Sequence, residues 1–237
     1  MKKVLSLLLI GILLNGCAGK EDSPAAMIRI AQKARKSGHL EAALNFYNKA
    51  LKTDPDNCNA LLGLAEVYID MKLLDAATEY IRKSESRQKS LEKASYLRGK
   101  ICLLAGDDAG AEREFLKGKS ADSLNALGAV YDSRGEHKKA QELYKQVISH
   151  NPNYIDAYNN IGLSLMLCDK YSEAIFYLEN ACSLQDANVA YRSNLALAYG
   201  LSGNVDKARS VYAQDFEGKE LEEKIAYLED TIAAKHH

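Results

Sequence analysis

The sequence predicts an all-α solenoid of about six helix-turn-helix units in tandem, closed by one further C-terminal helix. Three observations carry that expectation. Small residues recur every 34 positions through the second half of the chain, at Gly128, Gly162 and Ala196. An alanine follows each of them by twelve, at Ala140, Ala174 and Ala208. The composition agrees: 47% hydrophobic residues with only 3 prolines, 4 phenylalanines and no tryptophan suits packed regular helix rather than a turn-rich β fold.

The N-terminus reads as an export signal. Lys2 and Lys3 precede an apolar run from Val4 to Leu14, then Asn15, Gly16 and Cys17, after which the chain turns polar. The apolar run is too short for a membrane span, which needs roughly 18 residues or more. Leu14, Asn15, Gly16 and Cys17 resemble the bacterial lipobox. The cysteine directly after a small residue weighs against an ordinary signal peptide cut nearby. That resemblance implies a lipoprotein signal peptide over 1–16, acylation of Cys17, and a short tether over 17–23. Several acyl chains would hold a membrane more firmly than one. Ala18, rather than an aspartate, follows the cysteine, which resembles lipoproteins sorted to the periplasmic face of the outer membrane.

The repeat grammar also runs upstream, where Ala31 and Ala43, Ala65 and Ala77, and Gly99 and Ala111 keep the twelve-residue spacing. Six units result, over 24–57, 58–91, 92–120, 121–154, 155–188 and 189–218. Small residues on both helices of a pair let the backbones approach, and a bulky side chain at either would open a cavity or force strain. Tyr68, Tyr131 and Tyr199 lie three after their small residue, where an aromatic fills the seam between helices. Gly38, Gly106, Gly135 and Gly203 fall between paired helices and predict left-handed caps. Asp54-Pro55 and Asn151-Pro152 end the second helix of their units. This period and pattern are those of the tetratricopeptide repeat. The fold expected is therefore an all-α tetratricopeptide repeat solenoid.

The third unit is irregular, because Gly99 and Gly128 are only 29 apart. Kinks or looser seams are expected near Lys89 to Glu92 and near Lys117 to Ala121. Over 219–237, Leu221, Ile225, Leu228 and Ile232 fall at helical spacing, which predicts a helix capping the exposed end of the array. His236 and His237 read as a terminal overhang.

Chemistry is mostly absent from the pattern. A formal net charge of -1 gives no global positive field, so nucleic acid is not expected as a partner. Cys58, Cys102, Cys168 and Cys182 could pair in an oxidising compartment, but none sits at a CxxC or zinc-like spacing. They read as small buried hydrophobes. His39 and His137 fall in turns and His150 at a helix end, with no supporting nucleophile or carboxylate array. No catalytic residue, cofactor, metal site or small-molecule substrate is expected.

The first helix of each tetratricopeptide unit lines a concave surface. In the last three units its free face carries Asn125, Asp132, Asn159, Leu163, Met166, Ser193 and Leu197. Asparagine amides can bond a peptide backbone in both directions, and a strip of Leu and Met can take its apolar side chains. The surface reads as a groove for a polypeptide. The same apolar residues could instead be covered by the C-terminal helix or by packing between units.

The stretch YNNIGLSLMLCDKYSEAI from Tyr158, followed by YRSNLALAYGLSGNVDKA from Tyr191, resembles the TadD family of tetratricopeptide lipoproteins of the tight-adherence (Flp pilus) machinery. That resemblance implies an outer-membrane lipoprotein that helps place or assemble the secretin channel, with the secretin or another pilus component as partner. The rival expectation is a periplasmic adaptor for cell-wall enzymes or a protease, or a pilotin of type IV pili or type II secretion.

Overall fold

The computed structural model describes residues 23–87, 91–184 and 188–235. The expected signal peptide, Cys17, most of the tether, part of the irregular stretch at Lys89 and the terminal histidines lie outside the described residues. Within them the chain forms thirteen α-helices and no strand. Twelve of these make six antiparallel pairs. They are α1 (Pro24–Lys36) with α2 (Leu40–Thr53), α3 (Cys58–Asp70) with α4 (Leu74–Arg87), and α5 (Leu91–Leu104) with α6 (Asp108–Phe115). The pattern continues with α7 (Ala121–Ser133) and α8 (His137–His150), α9 (Ile155–Met166) and α10 (Tyr171–Ser183), and α11 (Val189–Leu201) and α12 (Val205–Tyr212). The last helix, α13 (Gly218–Lys235), is unpaired in this sense.

Local chemistry sets most helix boundaries. Ser23 caps α1 by accepting from the Ala26 amide at 3.2 Å, with Pro24 preset at the first helical position. Asn57, Ser120 and Asn188 cap α3, α7 and α11 in the same way. Between paired helices one backbone bond recurs six times. The amides of His39, Leu73, Asp107, Glu136, Lys170 and Asn204 donate to the carbonyls of Ala34, Tyr68, Cys102, Tyr131, Leu165 and Tyr199, all at 2.8 to 3.0 Å. This six-to-one bond closes a helix over a left-handed residue. Gly38, Gly106, Gly135 and Gly203 supply that residue, with φ between 76° and 89°. The second and fifth turns do without glycine: Lys72 and Asp169 hold φ at 60° and 58° in the same register.

Packing explains the small residues, but not quite as the pattern suggested. Ala43, Ala77, Ala111, Ala140, Ala174 and Ala208 are all fully buried. What a side chain at Gly99, Gly128 or Gly162 would strike, however, is the large residue one turn beyond the alanine. A Cβ there would lie 2.4 Å from Phe115, 2.5 Å from Tyr144 and 2.5 Å from Leu178. The glycine makes room for a ring or a leucine sixteen positions on. Further close approaches carry the array forward, since Gly63 on α3 seats the ring of Tyr47 from the preceding pair, and Gly200 on α11 seats Leu228 of α13.

The chain divides into two compact units at Gly118 and Lys119, within the second stretch where irregularity was expected. The first unit holds α1–α6 and the second α7–α13. The second has one continuous core, in which Ile161, Leu165, Leu178 and Leu195 meet Ile225 and Leu228 of α13. The C-terminal helix thus caps the array, with Leu228 wholly buried. All four described cysteines are free thiols, and they are half-buried rather than fully buried. Burial raises the pKa of the Cys102 and Cys182 thiols, which keeps them protonated.

Candidate protein-binding site

In the second unit the first helices of successive pairs, α7, α9 and α11, lie side by side, so residues one repeat apart face each other. A ladder of amides results. Asn160 Nδ2 donates to Asn125 Oδ1 at 3.1 Å, and Asn194 Nδ2 donates to Asn159 Oδ1 at 2.8 Å. Asn159 Nδ2 lies 3.4 Å from Asn160 Oδ1 and joins the two rungs. Each primary amide offers two donors and a two-lone-pair acceptor, so every rung keeps valences beyond those it uses on its neighbours. Asn160 links Asn125 to Asn159, and Asn194 extends the ladder onto α11; neither Asn160 nor Asn194 was among the expected groove residues. Their signal was present as an Asn-Asn pair followed one repeat later by Asn194.

Two phenols repeat alongside. Tyr154 donates to Asp122 at 2.6 Å, and Tyr191 donates to Asp156, in each case clasping one pair to the next. Arg192 forks onto both carboxylate oxygens of Asp215, at 2.6 and 2.5 Å, and so ties the start of α11 to the approach to α13.

The predicted groove residues differ in what they can offer. Asn125, Leu163, Ser193 and Leu197 are half-buried and keep an open face. Asn159 is 7% exposed and Met166 is 8% exposed, and Met166 belongs to the core that includes α13. Asp132 is already committed. It accepts from Ser164 at 2.7 Å and from Tyr144 at 3.0 Å, and His137 Nδ1 lies 2.8 Å away. Burial, reinforced by the Asp132 charge and hydrogen bond, pushes the Tyr144 phenol far above its ordinary range. Asp132 is therefore a hub joining α7, α8 and α9. The open surface consists of amides, Ser193 and the two leucines.

Among the described residues no cluster of three or more His, Cys, Asp or Glu side chains has metal-holding geometry. No described helix is long and apolar enough to cross a membrane.

Family comparisons agree with this architecture. Models described as tetratricopeptide repeat match residues 34–101, 121–154 and 155–188, together more than half of the chain. The chain is a tetratricopeptide-repeat protein. Among curated proteins, human tetratricopeptide repeat protein 28 is 23% identical over 203 residues, covering 80% of this chain and 8% of that protein. The chain spans less than a third of the length of the first curated relatives it matches. Solved tetratricopeptide structures share the fold. PilW, described as a widely conserved type IV pilus biogenesis factor, aligns with a TM-score of 0.68 at 19% identity, covering 84% of this chain and 96% of that one. PilF of Pseudomonas aeruginosa aligns with a TM-score of 0.64 at 19% identity, covering 83% and 91%.

Proposed function

We propose that this tetratricopeptide protein is an outer-membrane lipoprotein of the TadD type, which assists assembly of the Flp pilus by binding and localising its secretin channel. The observation that carries the reading is the asparagine ladder across α7, α9 and α11, with Leu163 and Leu197 open on the same helices. Unspent amide valences suit the backbone of an extended segment, and the leucines suit its apolar side chains. Acylation at Cys17 would keep this surface at the membrane. Partner and bilayer would then meet at high effective concentration without any added contact. The role is that of a scaffold, not of an enzyme.

The test is to crosslink cells mildly, solubilise membranes in detergent, purify the acylated protein and identify what accompanies it. A secretin that is recovered with the native chain and lost with Leu163→Asp plus Asn159→Ala supports the reading. Recovery of cell-wall hydrolases or a protease would replace it with an adaptor role. Cys17→Ser should leave the fold intact and abolish pilus assembly, and a strain with normal piliation would sink the proposal.

A second reading is favoured by the fold shared with PilW and PilF, namely service to a type IV pilus or a type II secretion system as a pilotin. The secretin recovered in the same experiment separates the two.

A further inference from the structure

The first unit carries a separate site that the composition conceals. Arg29, Lys33 and Lys36 follow each other at helical spacing on α1, and Lys93 reaches the same space from α5. With Arg35 they line a cleft of about 510 Å³ whose one carboxylate is Glu66 of α3. Five cations therefore face a single anion. Glu66 is already engaged, at 3.2 Å from Lys93 Nζ and 3.6 Å from Arg35. Arg29, Lys33 and Lys36 make no ion pair among the described residues, and all three are exposed. The Nε of Arg35 is buried and without a hydrogen-bond partner among the described residues. An overall charge of -1 hides this local excess, because acidic residues elsewhere cancel it.

Arg35 also holds Asp70 at 2.8 Å, and Asp70 forms the wall of a second cleft. That cleft, about 340 Å³, is lined by Ile69, Leu103 and Leu104 together with Lys72 and Lys100. Leu104 is 51% exposed and Leu103 is 37% exposed, so an apolar surface lies open beside the basic one. The basic cleft is built on α1, α3 and α5, the first helices of their pairs, and the second cleft on α3, α5 and the turn at Lys72.

We infer that this face of the first unit binds an acidic polypeptide segment, with carboxylates seated among Arg29, Lys33, Lys36 and Lys93 and an apolar side chain against Leu103 and Leu104. Charge complementarity names the anion, and the leucines name the class of molecule that carries it. A nucleic acid would find lysines in both clefts but would bring no aliphatic side chain to Leu103 and Leu104. A bilayer surface is broad and flat, whereas these cations line a cleft. The inference is independent of the ladder on α7, α9 and α11.

The experiment uses the full chain in a non-ionic detergent, titrated with a fluorescein-labelled ten-residue peptide of alternating Glu and Leu and followed by anisotropy. Saturable binding is expected. It should weaken as sodium chloride rises from about 0.05 to about 0.5 M, where the screening length shrinks from above 10 Å to a few ångström. Lys33→Glu with Lys36→Glu should reduce affinity at least tenfold with the far-ultraviolet dichroism unchanged, since both side chains are exposed and unpaired. Leu104→Ser should erase the preference for this peptide over one of alternating Glu and Ser. Equal affinity for a Lys and Leu peptide, or unchanged affinity in the double charge reversal, would overturn the inference. So would displacement of the peptide by phosphatidylglycerol vesicles but not by phosphatidylcholine vesicles, which would give the cleft to a membrane surface. A short single-stranded DNA competing at equal concentration would overturn it likewise.

Discussion

The phenol of Tyr144 on α8 donates to one oxygen of Asp132 on α7, at 3.0 Å, while Ser164 on α9 donates to the other at 2.7 Å. One carboxylate thus serves three helices, and both donors are almost wholly buried. Asp132→Ala should leave two hydroxyls without an acceptor, at about 1–3 kcal/mol each. Urea unfolding should show a lower midpoint with the slope unchanged, and Asp132→Asn, which keeps one acceptor oxygen, should lose less. A native midpoint in Asp132→Ala would return the residue to the groove alone.

Gly128 should not accept even a methyl group. Its Cβ would lie 2.5 Å from the Tyr144 ring, and overpacking of this kind costs about 1–3 kcal/mol. Pairing Gly128→Ala with Tyr144→Leu should recover part of that loss in a double-mutant cycle, because the two positions share one space. Strict additivity would show that the close approach is not the cause.

The turns offer a contrast that points the other way. Lys72 occupies with φ at 60° the position where four other units place glycine. The left-handed conformation costs a residue with a Cβ roughly 1–2 kcal/mol, so Lys72→Gly should raise the melting temperature. Gly135→Ala should lower it by a comparable free energy, with no contact involved, since nothing lies within 4 Å of its Cβ position. If both changes were neutral, the turn would not be held as described.

Stability should fall at both ends of the pH scale. The Arg192 hydrogen bond holds the Asp215 carboxyl below its ordinary value. Burial works against the charge of Glu114, but Lys117 and Arg98 outweigh it and hold that pKa down as well. Groups depressed in the folded chain stabilise it above their unfolded pKa, and that contribution is lost as pH falls through the folded value. Thermal melts below about pH 4 should therefore weaken, and less so in Asp215→Asn.

Tyrosine gives the opposite sign. Burial pushes Tyr47 and Tyr199 up to about 12, Glu66 adding at the first and Glu179 at the second. Their stabilisation is full below the unfolded pKa near 10 and is lost as pH rises through the folded values. A spectrophotometric titration should find some of the 14 tyrosines still protonated at about pH 11 and released together on unfolding. Smooth titration of all of them with an ordinary midpoint would contradict their burial.

What the sequence alone determined is the helical pairing and its punctuation. The spacing of Gly128, Gly162 and Ala196, the alanines twelve residues on, and glycines such as Gly38 and Gly203 act within one hairpin or one turn. Local geometry is enough to read them. The twelve-residue link itself was legible, yet the reason for it was not, since only packing revealed that Gly128 yields to Tyr144. The use of each groove residue lay further out of reach. Asp132 looked like an open carboxylate because Ser164, 32 positions away, had no visible claim on it. Asn160 and Asn194 became rungs because neighbouring hairpins set side chains 35 residues apart face to face. The basic cleft needed α1, α3 and α5 to converge. A periodic pattern says which face of a helix is apolar, but only the packing of one hairpin on the next decides which polar groups are spent on each other and which are left for a partner.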